Sequence, residues 1–434
     1  MIMQLYRGEL FYFTGLSANG EPCWSYYEDG ALCVEDGRVL ETGDYLSLKT
    51  KHPKSREVDY RGYLLMPGFV DAHIHFVQSE MIGMSASQLL DWLSDYTFPL
   101  EGRFADKQHC LRIADVFVHE LFRNGTTACA AFGSIHAASV DALLRSAAKY
   151  KMCMIAGKAH SNRYAPESLC EKPEKGAEDV RILIEKWHGK GRLHYAITPR
   201  FSVSCVSEEL KICGVLHEEF PDTYIQTHLS ENKLEVETVM GLYPGSKDYL
   251  QTYEENGLLT DRTLFAHGIY LSDSELKRIA ENKAVIVHCP TSNSFLGSGI
   301  YDMHRANEFG IHTALGTDVG AGTTFSMFQT MGESYKVQQI KGYIMPVMET
   351  FYKATLGSAQ ALHLEKEIGS LLPGRFADFI VVDYTSTIPQ RLRMDYLEKL
   401  GKATIGQKLF GLQTMADDRA VKATYVAGDC VYEL

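Results

Sequence analysis

The middle of the chain alternates short apolar runs with stretches of helical character, and this alternation limits the fold more than any other feature. An apolar run followed by a helix is typical of the units that build a parallel sheet. The predicted strands are Leu64–Ile74, Thr127–Ala131, Met152–Ala156, Leu193–Thr198, Thr223–Thr227, Thr263–Ala266, Ala284–Val287 and His312–Leu315. The predicted helices cover residues 106–123, 137–149, 176–188, 207–219, 273–281 and 347–362. Eight strands over about 300 residues favour a closed (β/α)8 TIM-like barrel over an open sheet, with its site at the carboxyl ends of the strands.

The two ends of the chain are β-rich and differ from this middle part. Asn-Gly and Asp-Gly pairs favour tight turns between antiparallel strands. Such pairs interrupt the first segment at Asn19-Gly20, Asp29-Gly30 and Asp36-Gly37. The last segment carries strand-like runs at Ala377–Val382 and Ala423–Val426. We therefore predict a small β-sandwich domain formed by residues 1–65 and 376–434 around an α/β barrel domain over 66–375.

Charge and composition exclude several classes of protein. The 434 residues carry a formal net charge of −12, which argues against a nucleic-acid binder, because such proteins normally present a basic face. No apolar stretch is long enough for a membrane-spanning helix, and Arg7 and Glu9 interrupt the first apolar run, where a signal peptide needs a continuous core. The ten cysteines form no C-x-x-C pair and indicate thiols in a reducing compartment. We expect a cytoplasmic protein that binds neither nucleic acid nor membrane.

Side chains that bind metals stand where the predicted strands end. The first strand runs into His73 and His75, and residues i and i+2 of a strand share a face, so both imidazoles can point at one ion. An H-x-H pair is common by chance, but His228, His267 and Asp318 follow three further predicted strands. Strand ends meet at one mouth of a barrel. Three histidines and one carboxylate from this set would make a mononuclear site with a position left for water.

Such a site suits hydrolysis, because a bound divalent ion lowers the pKa of its water ligand toward neutrality. A second group must then carry a proton from water to the leaving group. Glu231 stands three residues after His228 and can reach over such a water. His267 and Asp318 can orient the water and accept its proton. Glu231 is also consistent with a carboxylate in the first turn of a helix, where the helix dipole favours a negative charge. The catalytic and the structural role are compatible.

Longer motifs around these positions resemble a known family. They are residues Pro67–His75, Leu89–Glu101, Thr198–Phe201, Thr227–Asn232, His288–Asn293 and Gly316–Asp318. Over nearly the whole chain this set resembles the amidohydrolase superfamily, and within it the enzymes that deaminate guanine. The Trp92 segment and the Arg200-Phe201 pair single out guanine, whereas the Thr227 and His288 motifs are also similar to related deaminases and chlorohydrolases. The resemblance implies a metal-dependent hydrolase that converts guanine to xanthine and ammonia.

The resemblance also implies a role for each residue. The metal ligands are His73, His75, His228 and Asp318, which hold one zinc ion, with iron as the alternative metal, and His267 lies beside the water. Glu231 protonates a ring nitrogen while water attacks carbon 2, and then passes a proton to the departing amine. The purine contacts are Gln78, Arg200, Phe201 and Trp92. A guanidinium is a permanent planar donor that suits the 6-oxo group, an amide offers a donor and an acceptor, and the aromatic rings allow stacking.

Other readings of the same residues stay open. Gln78 is also consistent with an ordinary polar residue in a loop. Arg200 is equally consistent with an ion pair to a nearby carboxylate, and Trp92 with a residue of the hydrophobic core. The substrate could instead be another purine, a pterin or a triazine, and a barrel that had lost its chemistry would be expected to lack a metal ligand. The metal identity is open as well. The resemblance further implies a homodimer, which needs an apolar patch on the surface.

Two segments near the predicted site are interpreted without a catalytic role. Residues Gly320-Ala321-Gly322 lack the lysine of a phosphate-binding loop, so we expect them to let the backbone approach the bound base. Cys289 follows His288 without a plausible third partner and reads as a buried thiol.

Overall fold

The computed structural model describes residues 3–85 and 88–434 of the chain. Its strands are β1 (Gln4–Leu16), β2 (Pro22–Glu35), β3 (Arg38–Asp44), β4 (Arg56–Pro67), β5 (Phe69–His75), β6 (Thr126–Phe132), β7 (Cys153–Gly157), β8 (Ala159–His160), β9 (Leu193–Pro199), β10 (Tyr224–Leu229), β11 (Thr263–His267), β12 (Val285–His288), β13 (His312–Leu315), β14 (Phe379–Val382), β15 (Val421–Val426) and β16 (Asp429–Glu433). They form two sheets, and each sheet builds one part of the molecule.

Helices connect these strands and cover the sheets. They are α1 (Tyr45–Lys51), α2 (Leu89–Trp92), α3 (Phe98–Gly102), α4 (Lys107–Arg123), α5 (Ala137–Lys149), α6 (Pro173–Trp187), α7 (Ser207–Glu219), α8 (Lys233–Leu242), α9 (Tyr249–Glu254), α10 (Asp273–Glu281), α11 (Pro290–Phe295), α12 (Met303–Glu308), α13 (Met327–Ile340), α14 (Val347–Lys353), α15 (Leu356–Ala361), α16 (Ile388–Lys399) and α17 (Ile405–Met415). Short 3-10 helices lie at Phe76–Gln78, Arg103–Ala105, Glu167–Leu169 and Asp418–Ala420, and a π-helical turn lies at Leu93–Thr97. Among the described residues, we find no helix with the length and apolar character that crossing a membrane requires.

The larger sheet is the predicted barrel. Strands β5, β6, β7, β9, β10, β11, β12 and β13 pair in parallel in this order, and β8 pairs with β9. The chain beyond β13 bonds back to the first strand, because Asp318 N donates to His73 O at 2.9 Å and His75 N donates to Val319 O at 2.8 Å. These bonds bring the ends of the first and last strands together. All eight strand ends therefore open onto one mouth, as such a barrel requires.

The smaller sheet is built from both ends of the chain. Its strand order is β16-β15-β14-β4-β1-β2-β3, with β1 and β4 parallel and the other pairs antiparallel. The rings of Tyr6 on β1 and Tyr425 on β15 have centroids 5.1 Å apart. In a flat sheet these two strands, three spacings apart, would be separated by about 14 Å. Arg38, at the start of β3, also forms a backbone bridge with Phe376, which leads into β14, although β3 and β14 are four strands apart in this order. The sheet therefore curls around its own core and corresponds to the small β-sandwich domain predicted from the termini, while the division at residues 65/66 and 375/376 stays a prediction.

Several predicted elements differ in extent from the observed ones. The predicted strand Leu64–Ile74 is two strands in two different sheets, β4 and β5, joined at Gly68. A Cβ on Gly68 would lie 2.3 Å from the Thr127 side chain, so only glycine allows this close passage. The predicted helix over 347–362 is likewise two helices, α14 and α15, because Thr355 between them leaves the helical conformation at φ −133° and ψ −101°.

Helices α13, α16 and α17 have no counterpart among the predicted elements. The buried side of α13 includes Thr330, Ser334 and Gln338 beside its apolar residues, so its apolar spacing is incomplete. On α16 the buried residues are Gln390 and Met394, whereas most of its larger apolar side chains are exposed. The motif Leu89–Glu101, for which no helix was predicted, is a continuous run of α-, π- and α-helical turns. Periodicity fails in these cases because the buried faces are short or partly polar.

Candidate metal centre and active site

The polar strand ends meet in one buried cluster at the barrel mouth. His73 and His75 come from β5, His228 from β10 and His267 from the last position of β11, and Asp318 follows β13 by three residues. All five are less than a tenth exposed. His267 and Asp318 have left-handed backbones, with φ of 73° and 52°. Residues other than glycine adopt this conformation uncommonly, and aspartate and histidine are among those that tolerate it best. The structure thus brings together all five residues that the sequence predicted at the strand ends.

Four of these residues form a metal-binding group. One ligand atom from each of His73, His75, His228 and Asp318 lies within 4.8 Å of every other. Nε2 of His75 is 3.1 Å from Nε2 of His228, and Asp318 Oδ1 is 3.2 Å from His73 Nε2 and 3.5 Å from His75 Nε2. Ligands about 2.05 Å from a zinc ion lie about 2.9–3.6 Å from one another when the angles between them are about 90–120°, the range for an ion that also keeps a position for water. The donor spacing therefore fits one ion at the centre of the group.

The protonation states of this group also suit a cation. Burial lowers the pKa of His73, His75 and His228, so these imidazoles are neutral and keep a lone pair. His228 Nδ1 donates to the Arg200 carbonyl at 2.6 Å, which leaves its Nε2 as the lone-pair atom. Burial opposes ionisation of Asp318, but its contact with His73 and the nearby His267, whose own pKa is raised, outweigh burial and hold the pKa of Asp318 well below its usual range. Three neutral nitrogens and one carboxylate are the donors of a mononuclear hydrolytic metal site.

Glu231 and His267 lie side by side next to this group. Glu231 Oε2 is 3.5 Å from His267 Nε2, and Asp318 Oδ2 is 3.7 Å from the same nitrogen. Burial raises the pKa of Glu231 to about 7, so this carboxyl can both accept and donate a proton near neutral pH. Burial lowers the pKa of His267, but Glu231 and Asp318 outweigh it and the net shift is upward. Glu231 precedes α8, close to the place where the sequence suggested a first-turn carboxylate.

The four residues predicted to contact substrate line the same cavity. Its volume is about 360 Å³ including its opening, and Gln78, Trp92, Arg200 and Phe201 share its wall with the cluster. Trp92 is anchored by its indole N–H, which donates to Met84 O at 2.7 Å. Ala321 also lines the cavity, so the backbone after Asp318 approaches the space where a ligand fits. Cys289 is buried and its pKa is raised well above the usual value, which suits the inert thiol that was expected.

Sequence reasoning missed two buried side chains that contact predicted site residues. Glu101 accepts from Arg200 Nη1 at 2.8 and 2.9 Å, so Arg200 has the carboxylate partner that its alternative reading proposed. Asn293 Oδ1 lies 2.8 Å from His267 Nδ1. Both residues stand inside motifs that carried the family resemblance. Their place within these motifs was the one sequence feature that pointed to Glu101 and Asn293, because periodicity does not predict long-range contacts between side chains.

The fold and the cluster define the class of protein: a barrel hydrolase with one buried metal-binding group at its mouth. The model of the Amidohydrolase family matches residues 64–431. A guanine deaminase of Escherichia coli (strain K12) is 44 % identical over 409 residues, which are 94 % of this chain and 92 % of that relative. The chain belongs to the amidohydrolase family and, within it, to the guanine deaminases.

Solved structures agree with this placement. The structure of E. coli guanine deaminase has a TM-score of 0.95 and 42 % sequence identity, and the match covers 99 % of each chain. A guanine deaminase from C. acetobutylicum, solved with guanine bound in its active site, has a TM-score of 0.89 and 28 % identity, covering 99 % of this chain and 100 % of that one. The similarity therefore extends over both the barrel and the terminal sheet.

Proposed function

We propose that this protein hydrolyses guanine to xanthine and ammonia. The observation that carries the proposal is a single buried cavity whose wall holds the metal-binding group, the proton-carrying Glu231 and the polar pair Gln78 and Arg200. Those are the three parts that a hydrolytic deamination needs: an activated water, a proton shuttle and recognition of the ring. Guanine in the active site of the C. acetobutylicum relative supports the same ligand here.

The proposed cofactor is one zinc ion per chain, held by His73, His75, His228 and Asp318. Three imidazole nitrogens and one carboxylate oxygen around a single point suit zinc, and ferrous iron accepts the same donors. Such an ion, when bound, lowers the pKa of a water molecule and so makes a nucleophile available at neutral pH.

The proposed contacts with guanine follow from donor and acceptor chemistry. Arg200 donates to the 6-oxo group, and the amide of Gln78 faces the neighbouring ring edge, which carries both a donor and an acceptor. Phe201 and Trp92 present aromatic surface to the purine faces. With its 6-oxo group on Arg200 and the neighbouring ring edge on Gln78, a bound purine is held with carbon 2 toward Glu231 and the cluster.

The proposed proton steps run through Glu231. The carboxylate takes a proton from the attacking water and gives it to a ring nitrogen as oxygen bonds to carbon 2. Glu231 then takes the proton of the new hydroxyl group on carbon 2 and delivers it to the amino group. The bond from carbon 2 to that nitrogen breaks as the carbonyl forms, and ammonia leaves with xanthine as the other product. Ser298 Oγ donates to Glu231 Oε1 at 3.2 Å, which holds the carboxyl in place, while His267 and Asp318 orient the water.

We further propose a cytoplasmic homodimer. All ten cysteines lie within the described residues as free thiols, which supports a reducing compartment. Ile388, Leu392, Tyr396 and Leu400 follow one another at i, i+4 spacing on α16 and its C-cap and are exposed, so they form an apolar stripe. A second copy of the chain can cover such a stripe with the same stripe about a two-fold axis. If a Leu392→Lys variant is still dimeric by light scattering, this stripe is not the dimer interface.

The experiment that tests the proposed reaction measures xanthine and ammonia formed from guanine by purified protein of known metal content. Adenine, a pterin and an aminotriazine are supplied in parallel, because they are the alternative substrates. We expect product from guanine at a rate far above the others, and about one metal ion per chain. Product from another heterocycle but not from guanine would support the proposed hydrolase activity and contradict guanine as the substrate. A protein that binds no metal and converts none of these compounds would be a barrel that has lost its chemistry.

A further inference from the structure

Glu101 is a buried carboxylate that contacts two of the proposed substrate-binding side chains at once. It lies on α3 and is 2 % exposed. Its Oε1 accepts from Arg200 Nη1 at 2.8 Å and from Gln78 Nε2 at 3.0 Å, and its Oε2 lies 2.9 Å from the same Arg200 nitrogen. Arg200 and Gln78 come from different parts of the barrel, the end of β9 and the 3-10 turn after β5, which are three strands apart. Glu101 therefore connects them from a third element.

These bonds select which atoms of the two side chains remain for a ligand. Both contacts of Arg200 to Glu101 use Nη1, so Nε and Nη2 stay as donors that Glu101 does not engage. Gln78 gives one amide hydrogen to Glu101, and its Oε1 accepts from Gly320 N at 3.3 Å. The amide is thus held at both ends and cannot exchange its oxygen and nitrogen without losing two bonds. Its orientation decides which ring atoms it can pair with.

The charge of Glu101 matters as much as its hydrogen bonds. Arg200 is 5 % exposed, and a buried guanidinium without a counter-charge is strongly disfavoured. Glu101 is the acidic residue with which Arg200 forms an ion pair in the described part of the chain. Without it, the guanidinium is expected to turn toward solvent or toward the other carboxylates of the site. Either movement takes its donors away from a ligand in the cavity.

We propose that Glu101 is a positioning residue for substrate recognition, which holds Arg200 and Gln78 in the one arrangement that matches a purine with a 6-oxo group. This inference rests on the proposed function. Glu101 acts through the other two side chains and does not itself react. Its loss therefore weakens the binding of a purine that carries the 6-oxo group far more than the binding of one that lacks it.

The test compares guanine with 2-aminopurine, which keeps the 2-amino group and lacks the 6-oxygen. The variants are Glu101→Ala, Glu101→Gln and, as a control, Glu275→Ala, which removes a buried carboxylate that caps α10. The readouts are kcat and KM for guanine and the inhibition constant of 2-aminopurine. We expect Glu101→Ala to raise KM for guanine at least tenfold more than it raises the inhibition constant of 2-aminopurine. Glu101→Gln, which keeps the acceptor and loses the charge, should lie between wild type and Glu101→Ala.

Three results would overturn the proposal. An equal loss for both purines would mean that Glu101 only supports the fold, as would the same change of selectivity in Glu275→Ala. An unchanged KM for guanine would remove the role altogether. If Glu101→Ala does not fold, Glu101→Gln alone must still shift the selectivity. If the wild type forms no xanthine, the proposed function fails, but guanine is then not consumed and calorimetric binding of both purines to the same variants tests Glu101 separately.

Discussion

The amide oxygen of Asn293, on α11, lies 2.8 Å from Nδ1 of His267. An amide oxygen only accepts, so Nδ1 carries a hydrogen and the ring is held with Nε2 toward Glu231 and Asp318. Exchange of a proton between His267 and the site then proceeds through Nε2. Asn293 thus determines both the direction and the tautomer of the imidazole, although it is 26 residues away in the chain.

Replacing Asn293 tests this relationship. We expect Asn293→Ala to lower kcat for guanine about 10- to 100-fold with little change in KM, the usual cost of losing a group that orients an active-site histidine. Asn293→Asp keeps an acceptor at Nδ1 and should recover much of the activity. Ser294→Ala, at the exposed next position of the same helix, is the control and should behave as wild type. A change in KM alone would show that Asn293 acts on binding and not on His267.

Glu231→Gln separates proton transfer from metal binding. The amide keeps the size of the side chain and can still accept from Ser298, but it cannot carry a proton at neutral pH. We expect kcat to fall about 10²- to 10⁴-fold, as for the loss of a general acid–base group, while the metal content stays at that of wild type. Glu237→Gln, on the exposed side of α8, should have no effect. Retention of full kcat by Glu231→Gln would rule out the proposed shuttle.

Metal removal should affect both activity and stability. Dialysis against a chelator is expected to abolish xanthine formation, and added zinc should restore it. A ligand present at 1,000 times its dissociation constant stabilises the native state by about 4 kcal/mol, so the chelated protein should also melt at a lower temperature. His228→Ala should purify without metal, whereas His119→Ala, an exposed position on α4, should keep it. Full turnover by a metal-free preparation would contradict the assigned centre.

Stability should fall in mild acid because of His312 at the start of β13. Burial, with a contribution from Lys353, lowers the pKa of this imidazole to about 4, and its Nε2 lies 2.9 Å from the Gly357 carbonyl. The unfolded state therefore binds a proton below about pH 6.5 that the folded state binds only below about pH 4. The neutral, buried His312 therefore contributes its full stability above pH 6.5, and this stability is lost as the pH falls from 6.5 to 4. The loss in the free energy of unfolding is about 3 kcal/mol.

Denaturant unfolding at pH 7.5, 6, 5 and 4 measures this effect. Between pH 6.5 and 4, the free energy of unfolding of His312→Gln should fall less steeply than that of wild type, by about 1.4 kcal/mol per pH unit. This difference corresponds to one fewer proton taken up on unfolding. His304→Gln is the matched control, because His304 stays 62 % exposed after folding. An identical pH slope in wild type and His312→Gln would show that this imidazole does not titrate with folding.

The alternation of strands and helices was sufficient to predict the barrel, and the residues at its strand ends were sufficient to predict a metal site at its mouth. Which of these residues are the ligands was implied by the family resemblance. His73 and His75 share a face through strand geometry alone, and parallel strands bring His228, His267 and Asp318 to the same mouth. Elements without a clean apolar period were missed. The polar buried side of α13 and the exposed apolar side of α16 are examples, and the junction at Gly68 needed the Thr127 side chain to explain it.

What the sequence determined by itself is therefore the class of fold and the chemistry at the strand ends, since both follow from local periodicity and from rules that hold for every barrel of this kind. Only the tertiary structure decided how those side chains are held. The contacts of Glu101 with Gln78 and Arg200 span 23 and 99 residues, and that of Asn293 with His267 spans 26. Such contacts depend on how separate helices pack against the mouth, and no local pattern records that packing.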